Sequence, residues 1–166
     1  MTTPGDDELS TWWDLVTEGY SAVRERIADE LTTRFDLTPT SFEVLLRLAR
    51  SPDRRLPMTL LAREAALSSG GFTKLADRLC SAGLIRRAPS DEDRRVIYAC
   101  LTEHGADVAH RARQVRAELL RRLVLTPLGP DAARALAETM RTLRDAQAAR
   151  TNPAATSTRR VNPSPK

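Results

Sequence analysis

The chain has 166 residues, with 26 Lys and Arg against 22 Asp and Glu, for a net charge of +4. This length suits one globular unit with tails. No apolar run approaches the roughly 20 residues that a membrane-spanning helix needs. The two cysteines, Cys80 and Cys100, are too few for a disulfide framework, and no apolar segment follows a basic start. We therefore expect a cytoplasmic protein with reduced thiols and no membrane partner.

Enzyme chemistry is not indicated by the residue types present. Two histidines and two cysteines do not assemble a catalytic triad or a metal cluster, and no glycine motif that would cradle a phosphate is found. We expect no enzyme activity, no metal and no cofactor.

The charge is unevenly distributed along the chain. Residues 1–30 hold eight acids and two bases, whereas residues 54–95 hold nine bases and five acids. The final segment, 150–166, adds four bases and no acid among Pro, Ser, Thr and Asn, a composition that cannot build a core. We predict disorder for 1–7 and for this basic tail, and a polyanionic partner for the basic middle segment.

The first half of the chain predicts three helices. Apolar residues at three- and four-residue steps predict a long first helix over 8–34: Leu9, Trp12, Trp13, Val16, Tyr20, Val23, Ile27 and Leu31. Thr38 followed by Pro39 is typical of a helix N-cap and first turn, and Pro57 opens a third, short helix.

Ser68 is predicted to cap a fourth helix, which Gly83 ends. Two short, partly β-branched runs, at 84–87 and 96–101, then flank Pro89 and a polar turn and predict a β-hairpin with a long loop. Two helices followed by such a hairpin outline a winged helix-turn-helix, which reads double-stranded DNA. The predicted fold is mainly α with a small β-hairpin wing.

Thr102 is predicted to cap a fifth helix running to about Leu125, and Gly129 with Pro130 starts a sixth. The first, fifth and sixth helices have apolar faces too large to bury within so small a reader, so we predict a homodimer. The predicted organisation is one domain over 8–149, with dimerisation helices at 8–34 and 102–149 and a DNA-reading region at 38–101.

The fourth helix supplies the first group of candidate DNA contacts, because the N-terminal residues of a reading helix enter the major groove. These are Ser69, Gly70, Gly71, Thr73, Lys74 and Arg78. The two glycines weaken the helix by roughly 1 kcal/mol each, which favours close approach of the backbone to DNA; a loosely formed first turn is the alternative.

The hairpin turn supplies the second group. Arg94 and Arg95 could reach a minor groove or phosphates, and Asp93 is expected to shape the loop through an ion pair with an arginine. The alternative is an ordinary solvated charged turn.

Several segments resemble the MarR family of bacterial transcriptional regulators. They begin at Thr38 (TPTSFEVL), Leu61 (LA), Asp77 (DRL), Gly83 (GLIRR), Asp93 (DRR) and Leu101 (LTxxG). The resemblance extends from Leu9 to Ala148, and the wing motif is its most specific part. It implies a homodimer with reading helices in adjacent major grooves, wing arginines in the minor grooves, and repression that a small ligand relieves.

The resemblance also implies aromatic ligands in a cleft that Trp12, Trp13 and Tyr20 could line, although such residues more often form a core or dimer interface.

Two further functions remain as alternatives. A thiol-based redox sensor is the first alternative, disfavoured because no cysteine precedes Cys80. A protein-interaction module without DNA binding is the second, disfavoured by the basic residues of the helix and turn.

Overall fold

The computed structural model describes the backbone of residues 3–151 and the side chains through residue 148. The predicted tail, 150–166, therefore lies outside the described residues, apart from the last two helical positions. The helices are α1 (Asp6–Phe35), α2 (Pro39–Arg50), α3 (Met58–Glu64), α4 (Ser69–Ser81), α5 (Glu103–Leu120) and α6 (Thr126–Thr151). The strands are β1 (Arg55–Pro57), β2 (Ile85–Pro89) and β3 (Ile97–Leu101). No helix in this part of the chain is long and apolar enough to cross a membrane.

Three hydroxyl side chains cap the N-termini of α2, α4 and α5, as predicted. The Thr38 hydroxyl accepts from the Ser41 amide at 3.1 Å, and the Ser68 hydroxyl accepts from the Gly71 amide at 3.1 Å. Thr102 does the same for the Gly105 amide at 2.9 Å. Each cap satisfies an amide that lacks a partner within its helix.

Gly83 ends α4 in the left-handed conformation, with φ +68°. Its amide donates to the Cys80 carbonyl, and the Leu84 amide donates to the Leu79 carbonyl, each at 2.9 Å. This pair of hydrogen bonds is a Schellman motif, which favours glycine at this position. The chain then turns directly into β2.

The sheet has three antiparallel strands in the order β1-β3-β2. In the hairpin, Ile85 pairs with Leu101 and Pro89 with Ile97. The sequence pattern predicted only this hairpin and not β1, in which Arg55 pairs with Cys100. Through this pairing, β1 anchors the segment before α3 to the base of the wing.

The core lies between α2, α4, the sheet and α5. Its largest fully buried side chains include Phe42, Phe72, Leu45 and Leu61. At the start of α5, Gly105 is buried so tightly against Leu84, the residue before β2, that a Cβ there would overlap the Leu84 carbonyl oxygen. This packing fixes where α5 leaves the wing.

The outer helices differ from their predicted bounds. The first helix begins at Asp6, within the segment predicted to be disordered, because Asp6, Asp7 and Glu8 favour the positive end of the helix dipole. The α-helical part of the fifth ends at Leu120 and is followed by a π-helical turn over Arg121–Leu125. Within α6 the helical conformation is broken at Gly129, with φ +73°, and this is where the sequence predicted that the sixth helix starts.

The chain divides into two compact units, one up to Leu120 and one from Arg121. In the first, large apolar side chains along α1 are exposed: Leu9, Trp12, Trp13, Leu15, Val16 and Tyr20. In the second, Leu125, Leu128, Leu136, Met140 and Leu143 are exposed. The division into dimerisation and reading regions stays a prediction.

Candidate nucleic-acid interface

The helix α4 is held by one buried face and presents the other to solvent. Its buried side chains are Phe72, Leu75, Ala76 and Leu79. The remaining positions include nearly all of the predicted contact residues, and these are exposed: Ser69, Gly70, Thr73, Lys74 and Arg78. The sequence spacing thus places the candidate contacts on one accessible side of a firmly packed helix.

A groove of about 560 Å³ runs between α4 and the N-terminus of α2. Lys74 and Arg78 line it, together with Thr38 and Thr40 at the start of α2. Neither cation makes an ion pair within the described residues. Both are therefore available to an external anion.

The two glycines at the start of α4 occupy different surroundings. A Cβ at Gly71 would lie 3.2 Å from the capping hydroxyl of Ser68, so that glycine has a local packing reason. A Cβ at Gly70 would have no heavy atom within 4 Å. Packing within the chain thus gives no reason for glycine at position 70, which is consistent with the predicted close approach of another molecule.

In the wing loop, Arg95 is hydrogen bonded to Asp93 through both its backbone and its side chain. The Arg95 Nε donates to Oδ1 and the Nη2 to Oδ2, both at 3.1 Å, and the Arg95 amide donates to Oδ1 at 3.0 Å. These hydrogen bonds, the side-chain ones most strongly, hold the pKa of Asp93 below its usual value. The carboxylate thus shapes the loop as an ionised group.

Arg94 differs from its neighbour. Its side chain is exposed and has no ion pair among the described residues. Of the two predicted wing residues, Arg95 is therefore held by Asp93, whereas Arg94 has no ion pair within the described residues.

One polar link between helix and wing was missed by the sequence analysis. Arg87 on β2 forms an ion pair with Asp77 on α4 at 2.8 Å, and its Nη2 also donates to the Thr73 carbonyl at 3.3 Å. Because side chains alternate along a strand, the sequence places Arg86 and Arg87 on opposite faces of β2. This pattern does not show that Arg87 pairs with Asp77.

The residues considered for a ligand cleft, a redox switch and a metal site lie in different surroundings. Trp12, Trp13 and Tyr20 are 50%, 55% and 66% exposed on α1, so none belongs to the core of this chain. Cys80 is partly buried and Cys100 is buried, and both are free thiols. Within the described residues, no group of three His, Cys, Asp or Glu side chains could hold a metal ion.

Comparison with known proteins agrees with this geometry. A family model described as the MarR family matches residues 35–96. The multiple antibiotic resistance protein MarR of Salmonella typhimurium is 29% identical over 91 residues, and the regulator MhqR of Bacillus subtilis is 30% identical over 91. These matches cover 55% of this chain and 62% and 61% of the relatives. The chain thus spans about three fifths of the length of the curated relatives it matches.

Two solved structures from Streptomyces coelicolor are similar over most of the chain. The MarR family regulator Sco3205, solved in complex with DNA, has a TM-score of 0.74 at 26% identity, covering 88% of this chain and 91% of its own. The MarR family regulator AbsC has a TM-score of 0.74 at 24% identity, covering 89% and 98%, and supports the fold alone. Over residues 35–96 the chain is similar to the MarR family, and its winged-helix fold is that of MarR family regulators.

Proposed function

We propose that the chain is a homodimeric transcriptional regulator that binds double-stranded DNA through α4 and the wing. The observation that carries the proposal is that Lys74 and Arg78 on α4 and Arg94 in the wing loop are exposed cations without an ion pair within the described residues. Cations of this kind bind phosphates and base edges. The DNA complex of the similar regulator Sco3205 supports this reading.

The second copy in this proposal covers the apolar side chains that a single chain exposes. The N-terminal part of α1 is exposed on all sides through residue 22, including Trp12 and Trp13. Exposed apolar area of this kind is typical of an obligate dimer interface. A twofold dimer would set two α4 helices against half-sites roughly 10 base pairs apart.

The test separates base reading from phosphate contact. We expect Arg78→Ala and Lys74→Ala each to weaken binding to the target duplex. A base-reading residue weakens the target binding more than the binding to an unrelated duplex, whereas a phosphate contact weakens both and lowers the salt dependence by about one unit of slope.

Arg50→Ala is the matched control. It removes the same charge from the opposite end of α2, where Arg50 is exposed, and we expect affinity within about twofold of the wild type. If Lys74→Ala and Arg78→Ala behave like this control, α4 does not contact DNA in the proposed way.

Repression and a ligand response complete the proposal, and both rest on the family resemblance. The expected effector is an aromatic acid that binds beside Trp12, Trp13 or Tyr20. Adding benzoate to the protein–DNA complex while recording tryptophan fluorescence and release of DNA tests this part. Retained DNA with unchanged fluorescence argues against this effector class.

A further inference from the structure

The exposed side of α4 carries an acid between its two free cations. Asp77 follows Lys74 by three positions and precedes Arg78, and all three residues line the same groove. A carboxylate at this place repels DNA phosphates, and it also lies within reach of a cation one helical turn away. Its charge therefore has to be compensated if the groove is to receive DNA.

The compensation comes from β2 and not from α4. Arg87 approaches Asp77 at 2.8 Å and reaches the Thr73 carbonyl at 3.3 Å, so one guanidinium contacts two turns of the helix. Lys74 and Arg78 remain without an ion pair within the described part of the chain. The strand thus supplies the counterion and the helix keeps both of its own cations free.

We propose that Arg87 is a positioning residue for DNA binding that acts through Asp77. It neutralises the one acid on the contact side of α4, prevents that acid from pairing with Lys74 or Arg78, and ties the helix to the wing strand. This inference rests on the proposed DNA-binding function.

The exposure of the Arg87–Asp77 ion pair argues against a purely structural role for Arg87. The Arg87 side chain is 35% exposed and that of Asp77 is 56% exposed, so water and salt screen the pair and its contribution to folding is small. The effect of removing Arg87 should therefore appear in DNA affinity, with the melting temperature within about 4 °C of the wild type.

The experiment is a double-mutant cycle with Arg87→Met, Asp77→Asn and the double variant, measured by fluorescence anisotropy on a target and an unrelated duplex. We expect Arg87→Met to weaken target binding about tenfold. In the Asp77→Asn background the same substitution should cost about twofold or less, because the acid that Arg87 compensates is already gone. Arg86→Met, an equal loss of charge at the preceding residue of β2, is the matched control and should cost about twofold.

Equal losses from Arg87→Met in both backgrounds would overturn the inference, since they would show Arg87 contacting DNA directly. An unchanged affinity of Arg87→Met would overturn it as well. The wild-type titration in the same experiment tests the underlying function separately, because failure of the wild type to prefer any target duplex contradicts DNA reading itself.

Discussion

Replacing Gly70 by alanine should stabilise the fold and weaken DNA binding at the same time. A Cβ at this position meets no heavy atom within 4 Å, and the backbone there has none of the positive φ angles found at Gly83 and Gly129. Alanine therefore introduces no strain, raises helix propensity and restricts the unfolded chain. From these effects we expect a gain of about 0.4–1 kcal/mol in the free energy of unfolding.

The binding effect has the opposite sign. If the start of α4 approaches DNA closely at Gly70, the added methyl group displaces the backbone from its contacts, and we expect an affinity loss of about tenfold, equivalent to about 1.4 kcal/mol. Urea unfolding and fluorescence anisotropy on the same preparation measure both quantities. Gly71→Ala is a useful comparison, because its Cβ would lie 3.2 Å from the Ser68 hydroxyl and disturb the helix cap.

Two results would refute this reasoning. A loss of stability in Gly70→Ala would show that the position is not open as the structure indicates. Unchanged DNA affinity, with the expected gain in stability, would remove close backbone approach as the reason for the glycine.

Three further predictions concern the wing and its base. Arg94→Ala combined with Arg95→Ala should weaken DNA binding with the dimer intact by sedimentation; unchanged affinity would remove the wing from the mechanism. Because the pKa of Asp93 is lowered in the folded protein, the Asp93–Arg95 hydrogen bonds should persist at neutral pH and be lost only as pH falls through that lowered value; NMR signals of the Arg95 amide that shift near neutral pH would contradict this. Gly105→Ala should destabilise the fold by about 1–3 kcal/mol through its clash with the Leu84 carbonyl, and urea unfolding equal to wild type would show that the contact relaxes freely.

Local signals in the sequence predicted most of the fold. The caps at Thr38, Ser68 and Thr102 and the glycine at position 83 each act on residues within four positions along the chain. Hydrogen bonds of such short range depend only on neighbouring residue types. This is why the helix starts and the end of α4 could be placed from the sequence.

Long-range pairing was not accessible in the same way. The strand β1 is three residues long, ends in Pro57, and exists because Arg55 pairs with Cys100 far along the chain. The link between Asp77 and Arg87 likewise joins a helix to a strand. Nothing in the local pattern of either segment specifies its partner, so both features required the three-dimensional structure.

The candidate interface was predicted from residue types alone. The structure adds which of these side chains are already hydrogen bonded within the chain. The sequence treats Arg94 and Arg95 alike, whereas the structure ties Arg95 to Asp93 through three hydrogen bonds. Which of two adjacent arginines is free depends on the conformation of the loop. A role in DNA binding for either residue stays a prediction.

The measurement that tests the central proposal most directly is binding of the purified protein to DNA from its own promoter region. The control is an unrelated duplex of equal length, and both are titrated at two salt concentrations. We predict saturable binding that prefers the promoter duplex and weakens steeply as salt rises, because cations on α4 and the wing displace counterions from phosphates. Equal and weak binding to both duplexes would contradict the account and favour a protein partner for the same fold.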